Sequence, residues 1–377
     1  MSTRNSFIAV CAFFFGGLTS TALALGYNNN DQGCLDSPDP VYSNVQFDVI
    51  DITSGTPQLV PVKAVLTQPV EWVRKRGRRG CFMLVEDSPA VVVLHGSGGM
   101  DTRNAFYGQS LQRRFTTLSV EMFKGSVSAG TDRPPLPLFN YSYALGALKY
   151  LIEAEGFIAE DGTIGGEAGA DLNRKVPVDP DTVGCLGLSW GGVICNQLAV
   201  EKYSQAFGDS LYGTNYRFAA HAANYPVCWA RNLDSIPGLP PGADGGLDFG
   251  RNFGAELTGA PVLIQVGSED AYDNSGIPGD PLESGSLPCN ALKASLDADE
   301  QKLFDVVVFD GGYHAFDRLF AVAAVAKDQF ARLGIAFLSD DPNHPDNWPE
   351  VAVIPDQVIA NESSKNILRF FRRNLRY

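Results

Sequence analysis

A serine in a tight turn pattern is the first feature of the sequence that could do chemistry. Ser189 lies in Gly187-Leu188-Ser189-Trp190-Gly191, after an apolar run typical of a strand and before a run typical of a helix. A strand–turn–helix with the pattern G-x-S-x-G is a nucleophile elbow, which exposes the serine hydroxyl at the end of a sheet. The flanking glycines are needed because a Cβ there would clash with neighbouring backbone. The spacing predicts Ser189 as the nucleophile of an acyl-transfer reaction.

A serine hydroxyl is a weak nucleophile and needs a base. The chain contains four histidines, His95, His221, His314 and His344. His314 follows a predicted strand at a Gly-Gly-Tyr turn, which places it at the carboxyl edge of the sheet. His221 lies within an apolar strand, His344 lies in a polar loop, and His95 ends a strand beside glycines. Position and elimination therefore predict His314 as the base.

The base in turn needs a carboxylate that orients it. The predicted strand 261–266 leads into Gly-Ser-Glu269-Asp270, followed by Asp273. We expect Asp270 to be this acid, with Glu269 and Asp273 as alternatives, since loop carboxylates also cap helices. The order serine, aspartate, histidine along the chain is the order found in α/β-hydrolases.

The negative oxygen of a tetrahedral intermediate needs preorganised N–H donors. The backbone N–H of Trp190, the residue after the nucleophile, is one predicted donor. The second is expected from His95-Gly-Ser97-Gly98-Gly99, which directly follows a buried strand. Within this loop we favour the N–H of Ser97, with Gly98 as the alternative. A plain glycine-rich turn is the competing interpretation.

Apolar runs of strand type alternate with runs of helical spacing along most of the chain. The strand candidates are 60–66, 83–85, 90–94, 115–122, 182–188, 218–223, 261–266 and 303–309, and the helix candidates are 141–154, 191–203 and 363–375. Uniformly apolar strands that alternate with helices form parallel sheets covered on both faces. We therefore expect an α/β fold, with a mostly parallel central sheet and helices on both faces. The order serine, aspartate, histidine makes the α/β-hydrolase fold the expected form of it. One domain over 25–377, with loop insertions near 156–180, 227–258 and 335–355, is the simplest organisation.

Composition excludes several other classes of protein. The 377 residues carry a formal net charge of -14, and 45% of them are hydrophobic. This hydrophobic share excludes intrinsic disorder as the main state. The acidic balance argues against nucleic acid or anionic lipid as the partner, because both need a basic face. The basic run 74–79 could be an anion site or a protease-sensitive loop, but a solvated hairpin tip is the simpler interpretation.

The first 24 residues have the pattern of a secretory signal peptide. Arg4 is the positive charge, residues 7–18 form the apolar segment, and Ala22-Leu23-Ala24 matches a cleavage site. The apolar segment is shorter than the roughly 20 residues that span a bilayer, which disfavours an uncleaved anchor. We expect a secreted or periplasmic protein, without an integral membrane partner.

Cleavage would remove Cys11 and leave six of the seven cysteines. We favour the pairs Cys34–Cys81 and Cys228–Cys289. A pair between Cys185 and Cys195 is not expected. The first lies four residues before the Ser189 turn and the second six residues after it, on opposite sides of a sheet-to-helix gap near 10 Å, beyond the roughly 7 Å limit for disulfide Cα atoms. These two are expected to be small buried hydrophobic residues.

Taken together, the motifs resemble one known family. The segments HGSGG, VDPDTVG, GLSWGG, GSED and GGYHAFD, with the closing FFRRNL, resemble the dienelactone hydrolase family of the α/β-hydrolase superfamily over roughly residues 90–377. The resemblance implies an eight-stranded sheet and a triad of Ser189, Asp270 and His314. Dienelactone hydrolase proper is intracellular and uses a cysteine nucleophile. The serine and the signal peptide therefore favour a general secreted carboxylic-ester hydrolase.

Three functions remain open on the sequence. The first is a serine esterase that acts on a small-molecule or acyl-ester substrate through an acyl-enzyme, without a metal or organic cofactor. The second is a serine peptidase of the same fold, and the third is a catalytically silent binding protein. The complete set of site residues disfavours the third.

Overall fold

The structure is a computed structural model, and the description covers part of the chain. The described residues are 35, 37–74, 80–123, 134, 136–153, 158–159, 178–230, 256–280, 282–319, 322–333 and 344–375. The predicted signal peptide, Cys34 and most of the insertions predicted near 156–180 and 227–258 lie outside these residues, as do residues 335–343 of the third insertion. Among the helices that are described, none has the length and apolar character needed to cross a membrane.

Thirteen strands are described, nine of them in one sheet. They are β1 (Val41–Asp51), β2 (Gln58–Gln68), β3 (Val70–Val73), β4 (Cys81–Leu84), β5 (Ala90–Leu94), β6 (Thr116–Val120), β7 (Ile158–Ala159), β8 (Val183–Leu188), β9 (Ala220–Asn224), β10 (Val262–Gly267), β11 (Phe304–Phe309), β12 (Ala324–Lys327) and β13 (Glu350–Val353). β3 pairs with β4, and β12 with β13, as separate two-stranded ribbons. The resemblance implied eight strands in the main sheet, and the two-residue β7 is the ninth.

The order of strands in the main sheet changes direction between the neighbouring strands β5 and β8. The order is β11-β10-β9-β8-β5-β6-β2-β1-β7, and β5, β6, β8, β9, β10 and β11 form parallel pairs. β5 and β6 have exchanged places relative to their chain order. The connections that leave β5 and β8 therefore diverge, and such a switch point at the carboxyl ends of parallel strands is where ligands bind.

Eight α-helices are described. They are α1 (Thr102–Leu111), α2 (Tyr141–Glu153), α3 (Trp190–Gln197), α4 (Glu201–Ser204), α5 (Ser210–Tyr212), α6 (Leu287–Ser295), α7 (Glu300–Leu303) and α8 (Gln357–Asn374). Alternate residues of β5 enter two different cores, because side chains of a strand point to opposite faces. Val92 and Leu94 pack with α2 and α3, whereas Val91 and Val93 pack with α1 and α8. The mostly parallel sheet with helices on both faces, in this strand order, is an α/β-hydrolase fold.

Most of the predicted elements are present, with shifts at their ends. The strand predicted at 90–94 is β5, and the helix predicted at 141–154 is α2. The helix predicted at 191–203 is shorter. It ends at Gln197, and Val200 instead forms a β-bridge with Leu257 before α4 begins. The first strand, β1 (Val41–Asp51), lies outside all the strands predicted from the sequence.

One predicted disulfide is confirmed. Cys228 and Cys289 are bonded, with Cα atoms 5.0 Å apart, and they join the segment after β9 to α6. Cys81 is disulfide-bonded as well, and its predicted partner Cys34 lies outside the described residues.

The expectation that Cys185 and Cys195 stay unpaired is wrong. They form a disulfide with Cα atoms 5.7 Å apart. The expectation assumed an ordinary spacing between the sheet and the helix. At this turn the backbones of β8 and α3 touch, since a Cβ placed on Gly187 would lie 1.9 Å from the carbonyl oxygen of Gly191. The missing side chains let α3 approach β8 closely enough for the two sulfurs to meet.

The contact between Gly187 and the backbone of Gly191 predicts the effect of adding a methyl group at position 187. Gly187→Ala should destabilise the protein by about 3 kcal/mol or more, because the clash is with backbone that cannot rotate away. Gly108→Ala is the matched control. Gly108 lies within α1 with no atom within 4 Å of its Cβ position, so the same change should be neutral or stabilising by up to about 1 kcal/mol. Urea unfolding measures both, and equal effects would contradict the proposed contact.

Candidate active site

The nucleophile elbow has the strained geometry that its sequence predicts. Ser189 has φ 52° and ψ -109°, a left-handed value that non-glycine residues rarely adopt. Its N–H donates to the carbonyl oxygen of Asn224 at 2.9 Å, which ties the turn to β9. A Cβ on Gly191 would lie 2.4 Å from the carbonyl oxygen of Leu94, so this glycine permits the crossing over β5. The surrounding backbone therefore holds Ser189 in a conformation that it would not adopt alone.

The three residues predicted as a triad lie in one hydrogen-bonded chain. Ser189 Oγ is 2.9 Å from His314 Nε2, and His314 Nδ1 is 2.8 Å from Asp270 Oδ2. Ser189, His314 and Asp270 are 8%, 4% and 0% exposed. A carboxylate can only accept, so Nδ1 carries the proton and donates it to Asp270. That tautomer leaves the lone pair of Nε2 directed at the serine hydroxyl.

Asp270 has a second partner that holds its carboxylate in place. The N–H of Tyr272 donates to Asp270 Oδ1 at 2.9 Å, which leaves Oδ2 for the histidine. The alternatives from the sequence have other positions. Glu269 is exposed, and Asp273 accepts the backbone N–H groups of Cys228 and Trp229 at 3.0 Å each. Of the three acids, the structure places only Asp270 against His314.

The imidazole of His314 is held between two tyrosines. The ring of Tyr272 lies 4.3 Å away and that of Tyr225 lies 4.8 Å away, centroid to centroid. The hydroxyl of Tyr272 donates to the carboxylate of Asp328 at 3.0 Å, and this hydrogen bond restricts the orientation of the tyrosine ring. Such packing restricts the ring to the plane that both hydrogen bonds require.

A buried carboxylate beneath the site holds the other tyrosine. Asp317 is 1% exposed and accepts the hydroxyls of Tyr225 and Tyr107 at 2.6 Å each. Burial, and then the charge of Asp317, raise the pKa of both tyrosines well above its usual value. Both phenols therefore stay protonated and serve as donors. Asn224 donates from its side chain to Tyr107 at 2.8 Å, so this network also reaches the strand that accepts the Ser189 N–H.

The predicted oxyanion loop is fixed by His95 in a structural role. His95 is fully buried; its Nδ1–H donates to the carbonyl oxygen of Gly96 at 2.7 Å, and its Nε2 accepts the N–H of Met122 at 2.9 Å. The carbonyl oxygen of His95 accepts the N–H of Gly191 at 3.1 Å. The loop that contains Ser97 is thus bonded both to the end of β6 and to the elbow.

Trp190 is held by a residue that the sequence did not single out. Its indole Nε1–H donates to Asn140 Oδ1 at 3.0 Å, and Asn140 Nδ2 donates to the carbonyl oxygen of Met122 at 3.2 Å. Met122 is also the donor to His95, so one hydrogen-bond chain joins the two segments predicted to bind the oxyanion. Tyr272 could have been noticed, because it lies two residues after Asp270. The role of Asn140 has no local signal, since it depends on a contact with residues far along the chain.

The remaining two histidines, His221 and His344, are not part of the hydrogen-bonded series Ser189–His314–Asp270. His221 is fully buried in β9, with its Nδ1 2.8 Å from the carbonyl oxygen of Cys195. His344 is exposed and 3.6 Å from Asp346. Their positions, in a buried strand and in an exposed segment, are those that the sequence predicts.

One cluster has the residue types of a metal site. The ligand atoms of Cys228, Asp273 and Cys289 lie within 4.8 Å of one another. The two sulfurs are bonded to each other, so they offer no thiolate and the cluster does not fit a metal.

Solved structures with similar folds include three hydrolases. A Klebsiella pneumoniae protein assigned to the dienelactone hydrolases has a TM-score of 0.44 at 12% identity, covering 88% of this chain and 99% of that one. Esterase 2 of Thermogutta terrifontis has a TM-score of 0.46 at 13% identity, covering 83% and 90%. The carboxylesterase Cest-2923 of Lactobacillus plantarum has a TM-score of 0.44 at 10% identity, covering 88% and 97%. Similarity at this level supports no conclusion about the substrate or the reaction.

Comparison with sequence families is uninformative for this chain. No family model matches it. No curated protein matches it either. The reaction therefore has to be argued from the site.

Asp273 makes the stability of this region depend on pH. Burial, and then the nearby charge of Asp270, raise the pKa of Asp273 well above its usual value, against the two backbone N–H groups that lower it. The folded protein then binds a proton that the unfolded chain releases near pH 4. Stability should fall as pH rises above about 4, by up to ~1.4 kcal/mol per pH unit.

Asp273→Asn should remove this slope. Its unfolding free energy, measured in urea between about pH 4 and pH 7, should vary less with pH than that of the wild type. The loss of hydrogen bonds in the variant shifts its unfolding free energy by the same amount at every pH. The titration of Asp273 is therefore seen only in the slope of the unfolding free energy against pH. Parallel curves would show that Asp273 does not titrate in this range.

Proposed function

We propose that the protein is a serine hydrolase that cleaves carboxylic esters. One observation carries the proposal: the continuous contact from Ser189 Oγ through His314 to Asp270, built on a strained strand-to-helix turn. A serine, an imidazole and a buried carboxylate at these distances form the arrangement used for acyl transfer on several unrelated folds.

In the first half of the reaction Ser189 Oγ attacks the ester carbonyl carbon. His314 Nε2 takes the hydroxyl proton as the Oγ–C bond forms, and Asp270 stabilises the resulting imidazolium without taking its proton. The tetrahedral intermediate then collapses and the bond to the leaving alkoxide breaks. His314 donates its proton to the departing oxygen, so an alcohol leaves and the acyl group remains on Ser189.

The oxyanion of the intermediate is assigned to two backbone N–H groups. Trp190 is the first residue of α3, and the first N–H groups of a helix have no partner within the helix and lie at its positive end. Ser97 lies in the loop that His95 and Gly191 hold against the elbow. Preorganised donors of this kind contribute a few kcal/mol each, because they need no reorganisation as the charge develops.

The second half repeats the same steps with water as the nucleophile. His314 takes a proton from water, which attacks the acyl carbon, and the carboxylic acid leaves as Ser189 recovers its proton. These residues suffice for the whole cycle, and the proposal includes no cofactor. The triad alone is compatible with amide substrates too, so the serine peptidase is the second outcome of the test below.

Export is part of the proposal. The sequence of residues 1–24 supports a signal peptide, and the disulfides Cys185–Cys195 and Cys228–Cys289 support an oxidising compartment, because cytosolic thiols are kept reduced.

A fluorophosphonate probe tests the nucleophile. It should label Ser189 in the wild type and leave Ser189→Ala unlabelled, and the variant should lose hydrolysis of p-nitrophenyl esters by about 10⁴-fold or more. Wild-type rates on short-chain esters should exceed those on matched peptide amides. Faster amide cleavage would favour the peptidase, and no labelling at Ser189 would support the silent binding protein.

The acid is tested by comparing two neighbouring carboxylates. Asp270→Asn should lower kcat for ester hydrolysis by about 10³- to 10⁴-fold, because the amide would favour the wrong tautomer of His314. Glu269→Gln is the matched control and should leave kcat within about twofold, since this side chain is exposed and lies away from His314. Thermal unfolding of both variants shows whether folding is intact. A large loss in Glu269→Gln with activity kept in Asp270→Asn would reassign the acid.

A further inference from the structure

A buried guanidinium lies between the loop after β5 and the segment after β9. Arg103 is the second residue of α1 and is 5% exposed. Charged side chains are buried to this extent almost only when their charge is paired. The reaction proposed above makes no use of this arginine, so its partners have to show what the buried charge does.

One side of the guanidinium is fixed to the loop that contains Ser97. Arg103 Nε donates to Asp101 Oδ1 at 2.9 Å, and Nη2 donates to Oδ2 at 2.8 Å, which is the paired geometry of an arginine and a carboxylate. Asp101 also accepts the backbone N–H of Arg103 as the N-cap of α1. A Cβ on Gly96 would lie 3.2 Å from Arg103 Nη2, so the guanidinium packs against this glycine of the loop.

The other side of the guanidinium reaches the tyrosine that packs on His314. Arg103 donates a hydrogen bond to the phenol oxygen of Tyr225, and the hydroxyl of Tyr225 donates to Asp317 at 2.6 Å. A phenol oxygen can accept one hydrogen bond and donate another, so the three groups form one series. The ring of Tyr225 lies 4.8 Å from that of His314, centroid to centroid.

The charge of Arg103 is shared between two carboxylates. It interacts with Asp317 as well as with Asp101, which lie on the tyrosine side and on the loop side. An unpaired buried charge is unfavourable, so a displacement of the guanidinium toward one carboxylate is opposed by the loss of the other. The arginine therefore connects the loop of Ser97 to the ring that contacts His314, with little freedom to move.

We propose that Arg103 is a positioning residue, which holds the loop of Ser97 and the imidazole of His314 at a fixed separation. The inference rests on the proposed function, in which that loop binds the oxyanion while His314 transfers the proton of the same intermediate. A misplacement of about 1 Å between such groups can slow a reaction about 10²-fold. The planar fork of a guanidinium binds a carboxylate and a phenol oxygen in fixed directions, whereas an ammonium is a point charge on a flexible stem.

Arg103→Lys tests the proposal, because it keeps the positive charge and removes the fork. We expect kcat for p-nitrophenyl ester hydrolysis to fall about tenfold or more, since the loop and the base are no longer held together. KM should change by less than about twofold, because no contact with the substrate is removed. A loss that appears in KM with kcat unchanged would overturn the proposal.

Arg217→Lys is the matched control. Arg217 donates to Glu201 at 2.7 Å and to Asp209 at 2.8 Å, so the same substitution removes a fork between two carboxylates. It comes before β9, at the opposite end of that strand from Tyr225. Thermal unfolding should show a loss of stability in both variants, and kcat of Arg217→Lys should stay within about twofold of the wild type. An equal loss of kcat in the two variants would show a general effect of stability.

Tyr225→Phe tests the path from the arginine to the base. It removes the hydroxyl that joins Arg103 to Asp317 and keeps the ring, so kcat should again fall about tenfold with KM little changed. The double variant Arg103→Lys with Tyr225→Phe should lose no more than the larger of the two single losses, because both substitutions break the same series. Multiplied losses would contradict a path through Tyr225. If Arg103→Lys does not fold, an unchanged kcat in Tyr225→Phe overturns the proposal by itself.

The fluorophosphonate probe separates this inference from the proposed function. Ser189 should be labelled in Arg103→Lys and in Tyr225→Phe, about tenfold more slowly than in the wild type. A wild type that is neither labelled nor active would overturn the proposed function and this inference with it. A labelled and active wild type, with kcat unchanged in Arg103→Lys, would overturn the inference alone.

Discussion

The backbone contact between β8 and α3 is the constraint on which the site depends. At Gly187 and Gly191 the chain passes so close to itself, and to Leu94 of β5, that no side chain fits. This crowding forces Ser189 into a left-handed conformation and puts its hydroxyl at the end of the sheet. The same close approach brings Cys185 and Cys195 within bonding distance, so a disulfide links β8 to α3 on the two sides of the turn.

The segments around Ser189 are held by hydrogen bonds to the turn that contains it. The N–H of Gly191 donates to the carbonyl oxygen of His95, and the N–H of Ser189 to that of Asn224, so the loop after β5 and the strand β9 are both attached to the turn. Asn224 continues into the buried network of Tyr107 and Asp317, which fixes one of the rings against His314. A displacement of the turn would therefore disturb the loop at residues 95–99 and the packing around His314 together.

The neighbouring carboxylates of Asp270 and Asp273 have different hydrogen-bond partners. Asp270 and Asp273 are both fully buried and three residues apart, yet one faces the histidine and the other faces two backbone N–H groups. Burial, and then the nearby charge of Asp270, raise the pKa of Asp273 well above its usual value. The disulfide Cys228–Cys289 lies beside Asp273 and holds the segment that supplies those donors.

The two edges of the sheet differ in charge. The carboxyl edge holds the buried chain of Ser189, His314 and Asp270, whereas the amino edge exposes arginines from two helix ends. α1 ends at this edge because it connects the parallel strands β5 and β6 and therefore runs antiparallel to them. The positive side chains in the last turn of α8, Arg372 and Arg373, lie where they stabilise the helix dipole.

Local patterns in the sequence predicted the turn at Ser189, the position of His314 after a strand and most of the central strands, because each depends on residues close together in the chain. The glycines around Ser189 and the apolar runs of β5, β8 and β10 carry their own conformational preferences. The sequence left three candidates for the carboxylate beside His314, and only the packing after β10 placed Asp270 there. The tertiary structure decided the bond between Cys185 and Cys195 and the contacts of Asn140 and Tyr225. Each of these depends on distances between segments brought together by folding, and spacing along the chain does not encode such distances.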